Sequence, residues 1–498
     1  MKLKTLCRQA DCEYRGQEDP DIRAVTEDSR RVTPGALFVA VPGGHRDGHA
    51  FAQQAIANGA AAVMGQGLDG TASRADDGGL WNGVPYVAAP HPRHASGIMA
   101  HALAGDPSQK LIVIGITGTN GKTSTAVLIQ HMLTACGKKA ANFGTLGYTV
   151  GDASFNALHT TPFPEDLARL FREAVDRGMT HVVMEVSSHA LEQERAAGID
   201  FDVAAFTNLS QDHLDFHGDM EHYFRAKRKL FERLTGEGKF GVVNTDDAWA
   251  KAMLEACAVP CLTYGAKGMY RAKHVKPSLR HTTFTAVGPK GETPIHMALL
   301  GRHNVANALC AFTVCAGLGL PKDVAAASLE TLPSVPGRFE RVDVGQAFQV
   351  VVDYAHTEDG LDNVLRAARP ICKGRLITVF GCGGDRDRGK RPKMGAVAAR
   401  LSDLAIVTSD NPRTEDPDRI LLDIEVGMQQ TGKKLGTDYL RIPDRKEAIH
   451  EAIGLAKPGD LVLIAGKGHE DYQIVGEERR HFDDREVARQ ALEARGNN

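Results

Sequence analysis

One seven-residue segment, GTNGKTS at positions 118–124, constrains the fold of this chain more than any other feature. It follows an apolar run at 111–116 and leads into a helix-forming run at 123–135, so the local order is strand, glycine loop, helix. In that order the glycines let backbone N–H groups turn inward around an anion, and the helix dipole strengthens the site. We therefore predict a phosphate-binding loop, in which Lys122 neutralises phosphate charge and the Thr123 hydroxyl binds Mg²⁺. The motif is shorter than the usual form, since Ile116 stands where that form has a glycine.

The runs around this loop predict three α/β domains, at residues 1–108, 109–333 and 334–498, and a length of 498 residues suffices for that number. The first contains a predicted strand at 36–41 and a helix at 51–58. The other two repeat strand, polar loop and helix, which is typical of parallel sheets covered by helices. Their predicted strands are 111–116, 181–186, 203–207, 240–244, 348–352, 376–380, 404–408 and 461–465. We expect a central P-loop ATPase domain and a C-terminal Rossmann-like domain, with its chemistry at the carboxyl ends of the strands.

Composition narrows the classes of protein and partner. The 59 lysines and arginines nearly balance 62 acidic residues, and a net charge of −3 gives no long-range attraction to nucleic acid or to an anionic membrane. The apolar runs are far shorter than the ~20 residues that cross a bilayer, and the N-terminus lacks the apolar segment of a secretory signal. The nine cysteines have no metal-ligand spacing, so we expect free, reduced thiols. These features predict a cytoplasmic enzyme that acts on small molecules. We expect a monomer, although no feature of the sequence indicates the oligomeric state.

Two further segments place polar side chains where strands end. Glu185 closes the strand at 181–186, and in a parallel sheet its carboxylate lies beside the phosphate loop, where it can hold Mg²⁺ directly or through water. The segment TNLSQDHLDFHG at 207–218 follows the next strand and contains two aspartates and two histidines within six residues. Its spacing alone fits a metal site and a polar loop equally well.

Lys227 interrupts an apolar helix face. In the helix that Asp219 is placed to cap, an apolar face is formed by Met220, Tyr223, Phe224, Leu230 and Phe231. Lys227 lies in its middle, three and four residues from the pair before it and from the pair after it. A charged amine is unfavourable in that position. Either the stem of the side chain extends to solvent, or the amine contacts a specific group beneath the face. Beside a magnesium and phosphate site, one specific role is reaction with CO₂ to a carbamate, which is an anionic oxygen ligand for the metal.

Together these motifs resemble those of the Mur ligases of peptidoglycan synthesis, and within that family the MurE type, the UDP-N-acetylmuramoyl-tripeptide synthetases. The similar segments follow in the family's order over the whole chain: GTNGKTS (118–124), EVSSHAL (185–191), TNLSQDHLDFHG (207–218), HYFRAK (222–227), GRHNVANA (301–308), PGRFE (336–340), DYAHT (353–357), GCGGDRDRGKRP (381–392), DNPR (410–413) and AGKGHEDYQ (465–473). The resemblance implies three domains, which bind in turn the UDP part of the substrate, ATP and the incoming amino acid. It also implies that ATP phosphorylates the substrate's D-glutamate carboxylate and that an amine attacks the acyl phosphate to give an amide.

The resemblance also implies roles for matching residues. ATP would be bound by Gly118, Thr119, Asn120, Gly121, Lys122, Thr123 and Ser124, with Asn304, Arg338 and Asp353 as a second nucleotide-contacting set. The catalytic residues would be Lys122, Glu185, His213 and Lys227, and Mg²⁺ would be held by Thr123, Glu185, His213 and Lys227 as N6-carboxylysine. The nucleotide-linked substrate would be contacted by Ser29, Gly44, His45, Arg46, Thr160, Thr161, Ser187, Gln193 and Arg195. His159 stands where the family has asparagine, which affects one substrate contact, and Glu358 replaces a proline in a loop.

The DNPR segment separates members of the family by the amino acid that they add. It resembles the version that accepts meso-diaminopimelate, whereas lysine-adding relatives carry a different sequence there. Diaminopimelate has an extra carboxylate and ammonium at its far end, which call for guanidinium groups and for an anionic or carbonyl acceptor. The residues expected to bind it are Arg386, Asp410, Asn411, Pro412, Arg413, Gly466 and Glu470.

Three functions remain in competition. The first is an ATP-dependent ligase that adds meso-diaminopimelate to UDP-N-acetylmuramoyl-L-alanyl-D-glutamate. The second is also a ligase, either the lysine-adding form or a folylpolyglutamate synthetase, although the N-terminal segments DSR, PGALFVA and DGHAF have no place in the folate enzymes. The third is a P-loop ATPase that performs no ligation, which leaves the DNPR and GKGHE loops unexplained. We favour the first function.

Overall fold

The computed structural model describes residues 1–42, 47–66, 80–278 and 281–496. Its first part is a small sheet with three helices. The strands are β1 (Ala24–Thr26), β2 (Ala36–Ala40), β3 (Ala60–Gln66), β4 (Leu80–Trp81) and β5 (Val84–Ala89), and the helices are α1 (Leu3–Gln9), α2 (Ala52–Ala57) and α3 (Pro92–Leu103). The sheet order is β1-β2-β3-β5-β4, and every pair is parallel except β4 with β5. The helix predicted at 51–58 begins as a 3₁₀ turn, Gly48–Phe51, before α2.

The central part is built on an eight-stranded sheet. Its strands are β6 (Ile112–Thr117), β7 (Ala140–Gly144), β8 (Gly147–Val150), β9 (Ala153–Phe155), β10 (His181–Glu185), β11 (Val203–Phe206), β12 (Phe240–Asn244) and β13 (Cys261–Tyr264), in the order β13-β12-β11-β6-β10-β7-β8-β9. The helices are α4 (Lys122–Ala135), α5 (Pro164–Asp176), α6 (Ser188–Glu192), α7 (Leu214–His217), α8 (Met220–Glu232), α9 (Ala250–Glu255), α10 (Arg302–Gly317) and α11 (Lys322–Ser328). A separate antiparallel sheet contains β14 (Arg271–Pro277), β15 (Thr282–Gly288) and β16 (Gly291–Met297).

Burial explains why the central strands read as continuous apolar runs. Every residue of β10 and β11 is buried, because α4 and α10 cover one face of the sheet and α5 and α8 cover the other. The strands from β13 to β7 are parallel, so their carboxyl ends meet at one edge. In this register Glu185 at the end of β10 pairs with Ile116 of β6, which places its carboxylate beside the glycine loop.

The C-terminal part is a six-stranded sheet with helices on both faces. Its strands are β17 (Glu340–Arg341), β18 (Gln349–Asp353), β19 (Leu376–Phe380), β20 (Leu404–Val407), β21 (Tyr439–Arg441) and β22 (Leu461–Ala465), in the order β17-β18-β22-β19-β20-β21. The helices are α12 (Glu358–Ala368), α13 (Lys390–Leu401), α14 (Pro417–Gln430), α15 (Arg445–Leu455) and α16 (Asp484–Gly496), and a hairpin joins β23 (Tyr472–Val475) to β24 (Glu478–His481). One face packs on α12, α13 and α14, and the other on α15 and α16.

The predicted strands lie within one residue of the observed ones at either end. The prediction did not include the antiparallel extension β8–β9, the separate sheet β14–β16 or the hairpin β23–β24. It also missed further strands of the three main sheets, namely β1, β3, β4, β5, β7, β13, β17 and β21. Within the described ranges, no helix combines the length and the apolar character needed to cross a membrane.

Candidate active site

The glycine loop between β6 and α4 has the backbone of a phosphate-binding loop. Gly118 and Gly121 have φ values of 148° and 86°, in the left-handed region that favours glycine. A Cβ on Gly118 would lie 1.9 Å from Thr207 Oγ1, so the loop packs directly on the segment after β11. Lys122 Nζ donates to the carbonyls of Gly118 (3.0 Å) and Thr119 (2.9 Å), which folds the lysine over the loop at the N-terminus of α4.

Glu185 lies against this loop, as predicted. Its carboxylate is buried, and Oε2 accepts a hydrogen bond from Thr123 Oγ1 at 2.9 Å. Oε1 accepts from the backbone N–H of Thr145 at 2.8 Å, at the end of β7. Hydroxyl and carboxylate oxygens are ligands that Mg²⁺ prefers, so the chemistry of Thr123 and Glu185 fits a magnesium ion beside the phosphate loop.

Lys227 points inward from α8. Asp219 caps this helix by accepting from His222 N–H, and the lysine is only 1% exposed. Its Nζ donates to the Gly118 carbonyl at 2.8 Å and lies 4.4 Å from the ring centre of Tyr223. Burial, reinforced by the charge of Lys122, holds the pKa of this amine well below its usual range. Of the two readings of Lys227, extension of its stem to solvent is therefore wrong.

His213 lies at the start of α7 with a left-handed backbone, φ 55°. Its Nε2 is 3.2 Å from Asp212 Oδ2, and burial lowers the pKa of the imidazole to about 3. Asp212 also lies 3.7 Å from Lys390 Nζ and 3.8 Å from His356 Nε2, so this carboxylate joins the central and C-terminal parts. Among the described residues, no group of three or more His, Cys, Asp or Glu side chains is arranged to hold a metal ion.

A cavity of about 350 Å³ opens beside the glycine loop, between the central and C-terminal parts. Arg338 lies in its wall, where Nη2 donates to Thr123 Oγ1 at 3.0 Å. Asp353 also lies there and accepts from the N–H groups of Phe339 and Ala355. The other lining residues include Asn120, Gly121, Ser124, Asn208, Asn244, Asp246, Asp247, His303, Asn307 and Asp359.

Asn304, which sequence similarity assigns to the nucleotide, is not in the wall of this cavity. Its side-chain amide donates to the Leu300 carbonyl at 2.8 Å and accepts from Asn307 at 3.1 Å. Asn307, one turn later on α10, reaches the cavity in its place. The spacing of three between the two asparagines of GRHNVANA signals a shared helix face, from which Asn307 could have been included.

The residues assigned to the nucleotide-linked substrate fall in three places. Gly44, His45 and Arg46 lie outside the described residues. Ser29 is buried in the N-terminal part and donates to Gln54 Oε1 at 3.0 Å. The other five form a connected group around β10, namely Thr160, Thr161, Ser187, Gln193 and Arg195.

This group links Glu185 to a second cavity. Thr161 Oγ1 donates to the backbone carbonyl of Glu185 at 2.8 Å, and Arg195 Nη1 donates to the Thr161 carbonyl at 3.2 Å. The Arg195 guanidinium lies 4.3 Å from the ring centre of Phe163. Phe163 lines a cavity of about 530 Å³ between the N-terminal and central parts, and so does His159, the departure from the family pattern.

Sequence reasoning missed a charged pair in the wall of this second cavity. Arg93 Nε donates to Glu27 Oε2 at 2.9 Å, and burial raises the pKa of Glu27. The two residues are 66 positions apart in the chain and belong to no motif that we recognised, so only the folded chain brings them together.

A third cavity, of about 280 Å³, lies at the carboxyl ends of β19, β20 and β22. Its wall contains six of the seven residues assigned to the amino acid, which are Arg386, Asp410, Asn411, Arg413, Gly466 and Glu470. Pro412 is the exception: its carbonyl packs against Gly384. The facing wall is formed by Asp212, His213 and Asp215 of the central part. The cavity thus places the predicted amino-acid residues opposite His213, which the sequence assigned to Mg²⁺.

Hydrogen bonds hold the polar groups of this cavity in place. Arg413 Nη1 donates to the Gly384 carbonyl at 2.7 Å, and its backbone is left-handed at φ 52°. Glu470 Oε2 accepts from Asn411 Nδ2 (3.0 Å) and from Lys467 Nζ (3.1 Å). Burial raises the pKa of Glu470, and the nearby Asp410 carboxylate raises it further. Lys467, fully buried behind the cavity, was not predicted, although its place in the GKGHE loop was visible in the sequence.

Comparison with protein families identifies the architecture that carries these three cavities. Residues 21–101 match the model described as Mur ligase family, catalytic domain; residues 116–315 match the Mur ligase middle domain; and residues 337–468 match the Mur ligase glutamate ligase domain. The chain belongs to the Mur ligase family. The family is one of ATP-dependent ligases that form amide bonds, so the chain is an enzyme of that class, as its motifs predicted.

Full-length Mur ligases are similar to this chain. The UDP-N-acetylmuramoyl-L-alanyl-D-glutamate–2,6-diaminopimelate ligase of Geobacillus thermodenitrificans is 46% identical, and the match covers 99% of this chain and 100% of the relative. The ligase of the same name from Syntrophomonas wolfei is 44% identical over 99% of each chain. A solved structure of a ligase of that name is 34% identical, with a TM-score of 0.66 and 96% of each chain covered.

More distant solved structures share the fold alone. The MurF ligase of Thermotoga maritima in complex with ADP is 18% identical, with a TM-score of 0.63 and coverage of 95% of this chain and 98% of that one. A folylpolyglutamate synthase of Mycobacterium tuberculosis is 20% identical, with a TM-score of 0.62, and it covers 74% of this chain and 92% of its own. The three-domain α/β architecture with a P-loop domain, predicted from the sequence, is confirmed.

Proposed function

We propose that this Mur ligase adds meso-diaminopimelate to the D-glutamate of UDP-N-acetylmuramoyl-L-alanyl-D-glutamate, at the expense of ATP, in the synthesis of cytoplasmic peptidoglycan precursors. The observation that carries the proposal is the third cavity, in which six predicted amino-acid residues lie opposite Asp212, His213 and Asp215 of the central part. Full-length relatives at 44 to 46% identity carry the name of a 2,6-diaminopimelate ligase, which supports the same choice.

In this proposal each part of the chain holds one reactant. Residues 1–108 bind the UDP end of the substrate, residues 109–333 bind ATP, and residues 334–498 bind the amino acid. The support is the position of the three cavities, one between the N-terminal and central parts and two between the central and C-terminal parts. The three reactants are then held close together at one site. The reaction between them no longer depends on their meeting in solution. We propose that the enzyme is cytoplasmic and acts as a monomer. Sedimentation of the purified protein would test the oligomeric state.

The phosphate loop and its neighbours activate the carboxylate. Lys122 and the backbone N–H groups of 118–124 hold the ATP phosphates. Arg338 of the C-terminal part is tied to this loop by its hydrogen bond to Thr123. The dipeptide end of the substrate is oriented beside Glu185 by the connected group around β10, which is Thr160, Thr161, Ser187, Gln193 and Arg195. An oxygen of the D-glutamate carboxylate then bonds to the γ-phosphorus while the bond from that phosphorus to the β-phosphate oxygen breaks. ADP leaves, and the carboxylate, a poor electrophile, becomes an acyl phosphate.

We propose that Mg²⁺ is held by Thr123, Glu185, His213 and Lys227, with Lys227 as N6-carboxylysine. When bound, the ion offsets negative charge on the transferring phosphate. The support for the modification is the inward amine of Lys227 beside the loop. Burial lowers the pKa of this amine and so favours its neutral form, which is the form that reacts with CO₂. The carbamate would supply a further oxygen ligand for the ion.

The third cavity suits an amino acid with two charged ends. Arg386 and Arg413 present guanidinium groups for the distal carboxylate, and Glu470 with the Gly466 carbonyl accepts from the distal ammonium. Asn411 is held between Glu470 and the Ile474 N–H, so its amide has a defined orientation. Lysine lacks the distal carboxylate, so neither guanidinium group would gain a carboxylate partner from it.

Phosphate release tests the proposal directly. Purified protein is mixed with ATP, Mg²⁺ and UDP-N-acetylmuramoyl-L-alanyl-D-glutamate, and meso-diaminopimelate, L-lysine and no amino acid are compared. Release that requires meso-diaminopimelate is expected. Release with lysine would support a ligase but refute the prediction that the DNPR segment selects diaminopimelate. Release without any amino acid would indicate an ATPase that performs no ligation. LL-diaminopimelate, as a fourth arm, tests the isomer.

A further inference from the structure

Tyr354 belongs to the walls of two cavities at once. It is the first residue after β18, and its side chain lines both the nucleotide cavity beside the glycine loop and the amino-acid cavity at the strand ends. The aromatic ring therefore lies between the space that we assign to ATP and the space that we assign to the attacking amine.

Three loops hold this ring in one orientation. The His356 ring lies 4.6 Å from the Tyr354 ring, centre to centre, and the His469 ring lies 5.0 Å away. The guanidinium of Arg338 stacks 4.4 Å from the ring centre. Gly468 packs so closely that a Cβ there would lie 2.7 Å from Tyr354 Cβ. A ring packed on several sides is a rigid partition rather than a mobile side chain.

Arg338 connects this partition to the phosphate loop. Its Nη2 donates to Thr123 Oγ1 at 3.0 Å, and Thr123 Oγ1 in turn donates to Glu185 Oε2 at 2.9 Å. Its Nε is buried and has no hydrogen-bond partner among the described residues. The position of the guanidinium thus depends on its contact with the Tyr354 ring and on its bond to Thr123.

We propose that Tyr354 is a positioning residue that couples the use of ATP to amide formation, an inference that rests on the proposed function. In the productive step the amine nitrogen bonds to the carbonyl carbon of the acyl phosphate, the bond from that carbon to the phosphate oxygen breaks, and the amine loses a proton. In the wasteful step a water oxygen takes the place of nitrogen, which returns the D-glutamate carboxylate and free phosphate. With the ring in place, the two cavities stay separate and Arg338 stays over the phosphate loop. Without the ring, the cavities join and water reaches the activated carboxylate.

The test measures phosphate and amide in the same reaction for the wild type, Tyr354→Ala, Tyr354→Leu and Tyr354→Phe. The wild type and Tyr354→Phe, which keeps the ring, should release equal amounts of phosphate and amide. In Tyr354→Ala the ratio of phosphate to amide should rise well above one, because water then competes with the amine for the acyl carbon. Tyr354→Leu, which fills more of the space and protects the fold, should change the ratio in the same direction.

Reactions in H₂¹⁸O identify the wasted intermediate. Label in the D-glutamate carboxylate of recovered substrate is expected for the alanine and leucine variants, because water attacks the acyl carbon. Label in phosphate alone would mean that water attacks phosphorus, in ATP or in the acyl phosphate, and not the acyl carbon, which would overturn the inference. Equal phosphate and amide in both variants, or the same excess of phosphate in Tyr354→Phe, would also overturn it. Failure of the wild type to release phosphate with diaminopimelate would instead refute the proposed function.

Discussion

Arg413 offers a test that separates substrate binding from folding. Its guanidinium lines the amino-acid cavity and donates to the Gly384 carbonyl at 2.7 Å. In the proposed complex it also binds the distal carboxylate of diaminopimelate. Loss of one charge-assisted hydrogen bond costs about 1.5 to 3 kcal/mol, which corresponds to a rise in KM of about 10- to 150-fold. We therefore expect Arg413→Ala to raise the KM for diaminopimelate by that factor and to leave the KM for ATP within about twofold.

The backbone of Arg413 provides the matched control. Its φ of 52° costs a residue with a Cβ about 1 to 2 kcal/mol, and glycine does not bear that cost. Arg413→Gly should therefore be more stable than Arg413→Ala by about 1 kcal/mol, as measured by urea unfolding. Because both variants lack the guanidinium, both should show the same rise in the KM for diaminopimelate.

Steady-state kinetics with each substrate varied in turn decide the outcome. If the KM values for ATP and diaminopimelate rise together, Arg413 serves the fold of the loop and the binding role is wrong. If Arg413→Gly restores the KM for diaminopimelate, the defect of the alanine variant lies in the backbone. Either result would refute the assignment of Arg413 to the distal carboxylate.

Three further predictions address the rest of the molecule. Lys227→Ala should nearly abolish turnover, and acetate or formate should partly restore it by supplying the missing oxygen ligand; full activity of the variant would exclude the carbamate. Gly144→Ala places a Cβ 2.3 Å from Glu185 Oε1, so kcat should fall about 100-fold through displacement of the carboxylate, with unchanged secondary structure by circular dichroism. Burial lowers the pKa of His101 to about 4, so the unfolded chain binds a proton below pH 6.5 that the native protein excludes until about pH 4. Between pH 7.5 and pH 5, this residue therefore lowers the free energy of unfolding by about 2 kcal/mol. In His101→Leu that contribution is absent, so the free energy of unfolding should fall by about 2 kcal/mol less over the same pH range.

Much of the site could be predicted because its residues stand at the ends of apolar strands. The carboxyl ends of neighbouring parallel strands meet at one edge, so Glu185 was expected beside the glycine loop, and Arg386, Arg413 and Glu470 in one cavity. Lys227 was recognisable because a charge on an apolar helix face needs a partner. The sequence left open which partner that is, and the structure identifies the Gly118 carbonyl.

The remainder depends on contacts between distant parts of the chain. No local pattern predicts that Tyr354 lines two cavities or that Arg93 meets Glu27. The helix spacing puts Asn304 and Asn307 on one face but does not tell which of them reaches the cavity beside the glycine loop. By itself, the sequence determined the strand, loop and helix order, and with it the chemistry available at each strand end. Only the tertiary structure decided which side chains face the same space, because that depends on the packing of whole helices and sheets against one another and not on the spacing of residues along one element.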